Sequence, residues 1–462
     1  MGSSSNVRVA IIGAGIAGLA AAIALKDNPS IEVQVYERAP ELREIGASIA
    51  LGPNGMRTLD RLRVYNALHD SVAFRNKSGL PMIYRHYKTN EVVSVDKHKG
   101  AVSQRHQTAR YYRVHLQAAL AEHIPATQIH FSKAFQSVSF DAGTQSLRIR
   151  FADGSTAEAD VLLGADGIHS AVRRHFVPSS QTRWTGWTTF RSVFPVDPHL
   201  AHIADLPDEA VHIWGPDRTL FLSHLGRGLF TVVGSTQSDP QAPSAPYQDA
   251  TWNEEGDVAV LRGFYKEWSP LVRQIVDAVP FTRVYPNATA HALDSWALGG
   301  GQADDRDEGS GSGARTSSGK RVTLAGDAAH AHGGAFAAGG SLALDDAWAF
   351  AMAIKHAFPA HQLQARDRGS VGENIERALR LYERTRKGHT DRVMRVVAQN
   401  NAKTVDRHRE AGGGWRETDD ELRVRMQNRA DTSWIHEHDV VEAFAEALAD
   451  EDPSQGELQA QL

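Results

Sequence analysis

Apolar and polar residues near the start of the chain follow a strand–helix–strand pattern. Asn6–Ile12 is a short run rich in β-branched residues, Ile16–Leu25 is rich in alanine and leucine, and Glu32–Tyr36 alternates between polar and apolar residues. Alanine and leucine favour helices, whereas β-branched residues favour strands. The pattern therefore predicts two parallel strands joined by a helix.

Further along the chain, the pattern predicts a sheet-rich middle followed by a helical end. Strand-like runs such as Phe190–Val196 and Leu229–Gly234 dominate between residues 184 and 284. A helix is predicted from about Ser341 to His356, and the chain is charged and helical beyond Glu373. Because the strand-rich stretch interrupts a chain of mixed strands and helices, we interpret it as a second domain inserted into the first.

Composition excludes several classes of protein. With 50 Lys and Arg residues against 55 Asp and Glu residues, the net charge is −5, and no nucleic-acid partner is predicted. The absence of cysteine excludes disulfides, thiolate metal sites and cysteine nucleophiles. The longest uncharged apolar run, Val9–Leu25, is interrupted by three glycines, so no membrane span is predicted. We expect a cytoplasmic protein.

A glycine pattern lies between the first predicted strand and the first predicted helix. Gly13, Gly15 and Gly18 form the motif G-x-G-x-x-G. The first glycine permits a tight turn, the second lets a pyrophosphate approach the backbone, and the third lets helix and strand pack closely. Glu37, which follows the second strand, can accept hydrogen bonds from both hydroxyls of a ribose. This unit is predicted to bind an adenosine diphosphate group, with its phosphates at the helix N-terminus.

Two later motifs bear on the choice between NAD and FAD. Asp160–Arg173 is DVLLGADGIHSAVR, and Gly326–Asp346 is GDAAHAHGGAFAAGGSLALDD. With the G-x-G-x-x-G, these motifs resemble, in order and spacing, those of the FAD-dependent aromatic hydroxylases. These are single-component flavoprotein monooxygenases that include salicylate hydroxylase, and the resemblance spans about residues 7–400. The Gly-Gly-Ala-Phe-Ala-Ala-Gly-Gly and Tyr-Tyr-Arg segments are similar to the dearomatising hydroxylases of fungal polyketide pathways.

The resemblance implies a fold and a division of the chain. The fold is α/β: a doubly wound FAD-binding domain of the glutathione-reductase (Rossmann) type, with an inserted mixed β-sheet substrate domain and C-terminal helices. The expected parts are an FAD-binding domain over 1–80, 101–183 and 285–360, a substrate-binding domain over 81–100 and 184–284, a helical region over 361–440, and a tail over 441–462.

The resemblance also assigns residues to non-covalently bound FAD. Asp327 would contact the ribityl chain, and Asp166 would lie near the pyrophosphate and the access path of the nicotinamide. The residues expected to bind FAD are Gly13, Gly15, Gly18, Glu37, Ala50, Arg113, Asp166, Asp327, Gly339 and Gly340. Only one dinucleotide motif is present, so NADPH or NADH is expected as a transient reductant. No metal is predicted at His330 and His332, because we see no nearby carboxylate or cysteine partner.

Candidate catalytic residues lie in or near the inserted domain. Phe190 and Arg191 are similar to an aromatic residue followed by arginine that relatives carry on the sheet covering the active site. As a strand residue, Arg191 could equally be a surface arginine. His224 lies near a position that is often tyrosine in relatives. Alternation would point one of Tyr111 and Tyr112 toward the substrate, with core packing as the alternative for each. His332 is a further candidate to line the pocket.

The resemblance implies an enzyme that consumes NAD(P)H and O2 and hydroxylates a phenolic ring through a flavin C4a-hydroperoxide. The expected substrate is a small polyketide-derived phenol of the resorcinol type, with oxidative dearomatisation as one outcome. Two alternatives stay open: decarboxylating hydroxylation of a salicylate-like acid, and an FAD-binding regulator without turnover. The sequence also leaves open a homodimer.

Overall fold

The computed structural model describes residues 6–42, 46–242, 245–299, 319–360, 368–410 and 417–451. The strands of this part are β1 (Val7–Ile12), β2 (Ile31–Tyr36), β3 (Ser48–Leu51), β4 (Phe74–Arg75), β5 (Ile83–His86), β6 (Val92–Val95), β7 (Ala109–Tyr112), β8 (Ile129–His130), β9 (Phe135–Asp141), β10 (Ser146–Phe151), β11 (Thr156–Ala159), β12 (Val161–Gly164), β13 (Thr182–Pro195), β14 (Val211–Trp214), β15 (Arg218–His224), β16 (Leu229–Gln237), β17 (Glu254–Gly256), β18 (Thr282–Ala290) and β19 (Val322–Leu324). Its α-helices are α1 (Ile16–Leu25), α2 (Pro53–Arg61), α3 (Tyr65–Leu68), α4 (Arg113–Ala121), α5 (Ala171–Phe176), α6 (Val196–His199), α7 (Val258–Phe264), α8 (Pro270–Asp277), α9 (Asp327–His330), α10 (Gly339–Ala357), α11 (Arg368–Glu410), α12 (Asp419–Gln427), α13 (Ser433–His436) and α14 (Val440–Ala449).

The first domain is built on a parallel sheet with the strand order β19-β12-β1-β2-β8. Parallel sheets are covered on both faces, and β12 accordingly has every residue buried. Helix α1, which is also buried along its whole length, packs against α10. The arrangement confirms the predicted doubly wound α/β fold.

The inserted domain is built on a mixed sheet with the order β17-β18-β13-β16-β15-β14-β5-β6. Of its pairings, β14 with β5 is parallel and the others are antiparallel. On one face, Phe190, Phe194 and Phe230 pack into an apolar core with α7 and α8. Residues opposed on neighbouring strands share a face. A row on the other face, which we call the Arg191 row, consists of Arg191, Val233, Phe221, His212 and Tyr84.

A small antiparallel sheet, β3-β7-β4, connects the two domains. Ser48 and Ala50 in β3 oppose Tyr112 and Arg110 in β7, so these four residues share one face. The hydroxyl of Thr231 in β16 donates a hydrogen bond to the hydroxyl of Ser48 (2.9 Å). The shared face of the small sheet is therefore turned toward the inserted sheet.

The C-terminal helices pack on both domains. The long helix α11 contacts α10, and α14 packs against both of them. Residues 441–462 were expected to form a tail, but all of α14 except its first residue, Val440, falls in this stretch, and Ala447 is buried. Residues 452–462 lie outside the described part of the chain. Among the described residues, no helix is long and apolar enough to cross a membrane.

Candidate active site

The turn between β1 and α1 requires glycine at two positions. Gly13 has a φ of +107°, and a β-carbon on it would lie 2.5 Å from the carbonyl oxygen of Ala165. A β-carbon on Gly18 would lie 1.9 Å from the carbonyl oxygen of Gly13. At Gly15, by contrast, a β-carbon would meet no atom of the described chain within 4 Å. Backbone atoms therefore fill the space beside Gly13 and Gly18, whereas the space beside Gly15 contains no described atom.

The carboxylate of Glu37 binds this turn. Its Oε2 accepts a hydrogen bond from the backbone nitrogen of Ala14 (2.8 Å), and its Oε1 accepts one from that of Ala39 (2.9 Å). Gln117 in α4, which the sequence analysis missed, donates from Nε2 to the carbonyl oxygen of Ala14 (2.9 Å). Since each carboxylate oxygen can accept more than one hydrogen bond, Glu37 retains acceptor capacity for a ribose hydroxyl.

Asp166 lies beside the same turn. A β-carbon on Gly13 would be 3.0 Å from the α-carbon of Asp166. Its Oδ2 accepts hydrogen bonds from the backbone nitrogens of Ala171 (2.7 Å) and Val172 (3.2 Å) at the start of α5. Its Oδ1 is buried and has no partner in the described part of the chain. Burial raises the pKa of Asp166 despite these hydrogen bonds. A donor group of a ligand would satisfy the second oxygen.

The start of α10 lies against β3. A β-carbon on Gly340 would lie 2.7 Å from Cδ1 of Ile49, the neighbour of Ala50. A β-carbon on Gly339 would lie 4.0 Å from Oδ1 of Asp327, an exposed residue at the start of α9. The structure thus brings together Asp327, the two glycines and β3.

These features fit the chemical groups of FAD. No described side chain caps the N-terminus of α1, so its amides and the open backbone at Gly15 suit a diphosphate. The N-terminus of α10 is also not capped by any side chain that the structure describes, and its positive dipole suits a flavin edge that gains negative charge on reduction. Arg113 begins α4, and its backbone nitrogen donates to the carbonyl oxygen of Ala47 (3.0 Å). The residues present are therefore compatible with the expected cofactor.

Arg191 is a cation that forms no ion pair with any described residue. Its Nε donates to Oγ1 of Thr189 (3.1 Å), and its guanidinium carbon lies 5.3 Å from the centre of the Tyr285 ring. Burial lowers the pKa of Arg191 to about 10, and the charge of Arg113 acts in the same direction. Its Nη2 would lie 3.7 Å from a β-carbon on Gly334, shortly before α10. Such a cation can bind a phenolate or a carboxylate.

The structure separates the two tyrosines of β7. Tyr111 is fully buried in the core of the first domain, and its hydroxyl donates to the carbonyl oxygen of Ala67 (2.9 Å). Tyr112 is partly exposed on the opposite face of the strand. It opposes Ser48, whose hydroxyl accepts a hydrogen bond from Thr231, and Thr231 lies on the face of the inserted sheet that also carries Arg191. Tyr112, and not Tyr111, is the tyrosine of β7 on the Arg191 side.

The structure does not bring His224 to Arg191. His224 opposes Phe230, and Phe230 opposes Phe194, so these three residues share a face. That face carries the apolar core under α7 and α8, whereas Arg191 lies on the other face. Burial lowers the pKa of His224, whose ring lies edge-on to Phe230 (5.0 Å between ring centres). His224, a candidate catalytic residue from the sequence, therefore lies on the face of the inserted sheet opposite Arg191.

His332 lies beside the start of α10. A β-carbon on Gly339 would lie 3.5 Å from Nε2 of His332. The His332 side chain is buried, and neither ring nitrogen has a hydrogen-bond partner among the described residues. Burial lowers its pKa, which favours the neutral imidazole at neutral pH. Its ring nitrogens are thus available to a ligand as one donor and one acceptor.

A buried ion network lies next to His330, and sequence reasoning missed it. Asp346 in α10 lies 2.5 Å from Nε2 of His330 and accepts a hydrogen bond from Nε of Arg386 in α11 (2.8 Å). Burial raises the pKa of Asp346, but the charges of His330 and Arg386 outweigh this effect and lower it to about 2. A carboxylate therefore does lie beside His330, contrary to the premise used for the pair His330 and His332. No group of three or more potential metal ligands occurs within the described ranges.

Comparisons with known proteins add independent evidence. Residues 6–214 match the model of an FAD binding domain. The chain is 32% identical over 364 residues to the 3-amino-4-hydroxybenzoate 2-monooxygenase PtnB3 of Streptomyces platensis, covering 76% of this chain and 80% of that protein. It is 29% identical over 404 residues to the 6-hydroxynicotinate 3-monooxygenase of Bordetella bronchiseptica, covering 85% and 91%. A solved salicylate hydroxylase substrate complex shares the fold, with a TM-score of 0.70 at 20% identity over 96% of this chain and 98% of that chain.

The chain belongs to the FAD-dependent aromatic monooxygenases. The resemblance found in the sequence is thereby confirmed, as is the expectation of an FAD-binding enzyme. This finding removes the alternative of a regulator without turnover.

Proposed function

We propose that the protein hydroxylates a phenolic ring, with FAD as cofactor and NAD(P)H and O2 as co-substrates. Bound FAD supplies the capacity to accept a hydride and to activate O2. The residues of the chain bind and orient the substrate, tune its charge and exclude water from the reacting atoms. The observation that carries the proposal is Arg191, which forms no ion pair among the described residues and lies near Gly334, shortly before α10.

For the cofactor, we propose the contacts that the family resemblance assigns. Gly15 and the first turn of α1 would hold the diphosphate, Glu37 the adenosine ribose, and Asp327 the ribityl chain. The full proposed set is Gly13, Gly15, Gly18, Glu37, Ala50, Arg113, Asp166, Asp327, Gly339 and Gly340. Gln117 is added as a positioning residue, since it binds the carbonyl oxygen of Ala14 in the turn.

For the substrate, we propose that Arg191 holds the phenol as a phenolate. A nearby cation favours the ionised form and lowers the pKa of the phenol. Ionisation raises the electron density of the ring and makes it a better acceptor of an electrophilic oxygen atom. Thr189 and Tyr285 position the guanidinium. As further side chains that contact the ring we propose Tyr112, on the face of β7 turned toward the inserted sheet, and His332, beside Gly339.

The substrate class that we propose is a small polyketide-derived phenol of the resorcinol type, with dearomatisation as one outcome. A second candidate is decarboxylating hydroxylation of a salicylate-like acid. It is supported by the names of the two relatives above, which both refer to aromatic acids. Incubation of the holoenzyme with each class under 18O2 and NADH or NADPH distinguishes the two by product mass. The first adds one 18O atom and keeps all carbon atoms, whereas the second releases CO2.

The role of Arg191 is tested by Arg191→Gln. We expect FAD to stay bound, while the ratio of hydroxylated product to NAD(P)H consumed falls at least about tenfold, as expected from the loss of a charged hydrogen-bond partner. The pKa of the bound phenol, measured from its absorbance as pH varies, should rise toward its value in water. The matched control is Arg283→Gln, which removes an exposed arginine opposite Arg191 in β18. Normal coupling and an unchanged phenol pKa in Arg191→Gln would make Arg191 a structural residue.

A further inference from the structure

A second buried arginine, Arg110, lies in β7 on the face of the small sheet that is turned toward the inserted sheet. Its side chain is almost fully buried, with 1% exposed, and its Nη2 donates to the carbonyl oxygen of Pro81. Its Nε and Nη1 are also buried and have no hydrogen-bond partner among the described residues. Burying the unpaired N–H groups of a cation is unfavourable. The arrangement therefore points to a ligand that completes the hydrogen bonds.

The acidic side chains near Arg110 are already engaged elsewhere. Asp96 accepts a hydrogen bond from the hydroxyl of Tyr84 (2.9 Å) and forms an ion pair with Arg429. Glu209 accepts a hydrogen bond from a backbone amide (2.6 Å). Neither acid forms an ion pair or hydrogen bond with Arg110; each acts on it only through its charge. Within the described part of the chain, the one acceptor that binds the Arg110 guanidinium is therefore the carbonyl oxygen of Pro81.

Arg110 and Arg191 face the same region from the two sheets. Arg110 shares its face with Ser48, whose hydroxyl accepts a hydrogen bond from Thr231. Thr231 opposes Val193, which lies two residues from Arg191 and therefore on the same face of β13. The face that carries Arg110 and the face that carries Arg191 are consequently turned toward each other.

The two cations are far apart within this region. The guanidinium of Arg110 donates to the carbonyl oxygen of Pro81, two residues before β5, and β5 lies four strands away from β13, the strand of Arg191, which corresponds to about 19 Å between the two strands. The guanidinium of Arg191 stacks on a ring of β18 and so points away from Tyr84. Between β13 and β5, the row presents Val233, Phe221 and His212, all only partly buried, of which Val233 and Phe221 are apolar. A single substituted ring is too short to reach both arginines.

We propose that the substrate is longer than one ring and that Arg110 binds an oxygen acceptor, a carboxylate or a carbonyl, at its far end. The inference rests on the proposed function, in which Arg191 holds the phenolic ring. The connecting part of the substrate lies along Phe221 and Val233 and is apolar. Arginine suits either acceptor because its planar guanidinium presents several N–H donors at once. Arg110 thus determines specificity at a distance from the carbon that is hydroxylated.

The test measures binding to the oxidised holoenzyme without NAD(P)H, so that it does not depend on turnover. The probes are alkylresorcinols of short, medium and long chain that end in a carboxylate, a methyl ketone or a methyl group. Dissociation constants are read from the change in flavin absorbance. At the matching chain length, we expect the oxygen-ended probes to bind at least about tenfold more tightly than the methyl-ended probe. Tight binding of the carboxylate alone would identify an acid, and equal binding of the ketone would identify a carbonyl.

Substitution of Arg110 separates ligand binding from structure. Arg110→Gln should abolish the preference for the oxygen-ended probes and leave the affinity for the methyl-ended probe within about twofold. Arg110→Lys should restore part of the preference for the carboxylate, since the charge is kept. Arg110→Met should leave the melting temperature unchanged or raise it, because an unpaired buried charge is removed. The control is Arg75→Gln in the neighbouring strand β4, whose guanidinium already binds Asp70 and the carbonyl oxygen of Leu68.

Several results would overturn the proposal. The first is a wild-type protein that binds none of the probes or binds all chain ends equally. The second is an Arg110→Gln protein that keeps the preference for the oxygen-ended probes. The third is an Arg110→Gln protein whose affinity falls equally for all probes. A melting temperature of Arg110→Met lower by more than about 3 °C would make Arg110 a structural residue. If instead the preference depends on Arg110 but no probe is hydroxylated, the proposed function fails and the proposed binding site stands.

Discussion

At the scale of single residues, two neighbouring tyrosines have different tasks because a strand alternates its side chains. Tyr111 points into the core and donates its hydroxyl to a backbone carbonyl, whereas Tyr112 points toward the region between the sheets. The same alternation separates Arg191 from His224 on the inserted sheet. The type of a residue therefore indicates which chemistry it can perform, whereas the face of the strand determines whether its side chain points toward the region between the sheets.

The two tyrosines give a matched prediction. Tyr111→Phe should lower the free energy of unfolding by about 1 kcal/mol, because a buried carbonyl loses its donor, and should leave product coupling unchanged. Tyr112→Phe should leave stability unchanged and reduce the coupling of NAD(P)H oxidation to hydroxylation. Urea unfolding of the holoenzyme and the product-to-NAD(P)H ratio measure the two effects. The reverse assignment of effects would contradict the placement of Tyr112 at the substrate.

At the scale of secondary-structure elements, the sequence predicts the regular parts well. Helix α1 has the predicted bounds, because alanines and leucines bordered by a glycine turn leave few alternatives. Helix α10 begins at Gly339, two residues before the predicted start, since glycines have low helix propensity and conceal the first turn. Helix α14 was missed because its apolar positions lie in an acidic stretch, and its stability comes from packing against α10 and α11.

Sheet register explains why the site was less predictable than the fold. Whether His224 shares a face with Arg191 depends on how β15 and β16 align, and a shift by one residue would reverse the answer. Whether Nε and Nη1 of Arg110 find a partner among the described residues likewise depends on β5, β6 and β7, which belong to two different sheets. Contacts of this kind follow from tertiary packing and are not contained in a local sequence pattern.

The glycine turn of the first β–α–β unit gives a second matched prediction. Gly15→Ala should fold normally, because its φ of −78° suits alanine and no described atom lies within 4 Å of the new methyl group. It should nevertheless weaken FAD binding, since the methyl group would occupy the open backbone at the diphosphate. Gly18→Ala should lower stability even without FAD, because the methyl group would overlap the carbonyl oxygen of Gly13. Thermal unfolding of the apoprotein and titration with FAD separate the two cases, and Gly15→Ala with unchanged FAD affinity would place the diphosphate elsewhere.

At the scale of the whole molecule, the C-terminal segment 417–451 joins the parts of the protein. Leu422 in α12 is buried in the core of the inserted domain, and Val440 in α14 is buried in the core of the first domain. Between them, Ile435 in α13 packs with Ala338 and Leu342 at the start of α10. A segment that contributes to all three apolar clusters couples the stability of the domains to the position of the α10 N-terminus.

This coupling predicts different consequences for two equally buried side chains of the segment. Ile435→Ala and Leu422→Ala should each lower the free energy of unfolding by about 2–5 kcal/mol, because both side chains are fully buried. Only Ile435→Ala should also weaken FAD binding and coupling, since it removes packing behind the first turn of α10, where Gly339 and Gly340 lie. Urea unfolding, FAD titration and the product-to-NAD(P)H ratio are measured on both variants. If Leu422→Ala impairs FAD binding as much as Ile435→Ala, the loss reflects general destabilisation; if only Ile435→Ala does so, the segment holds the helix start in place for the flavin.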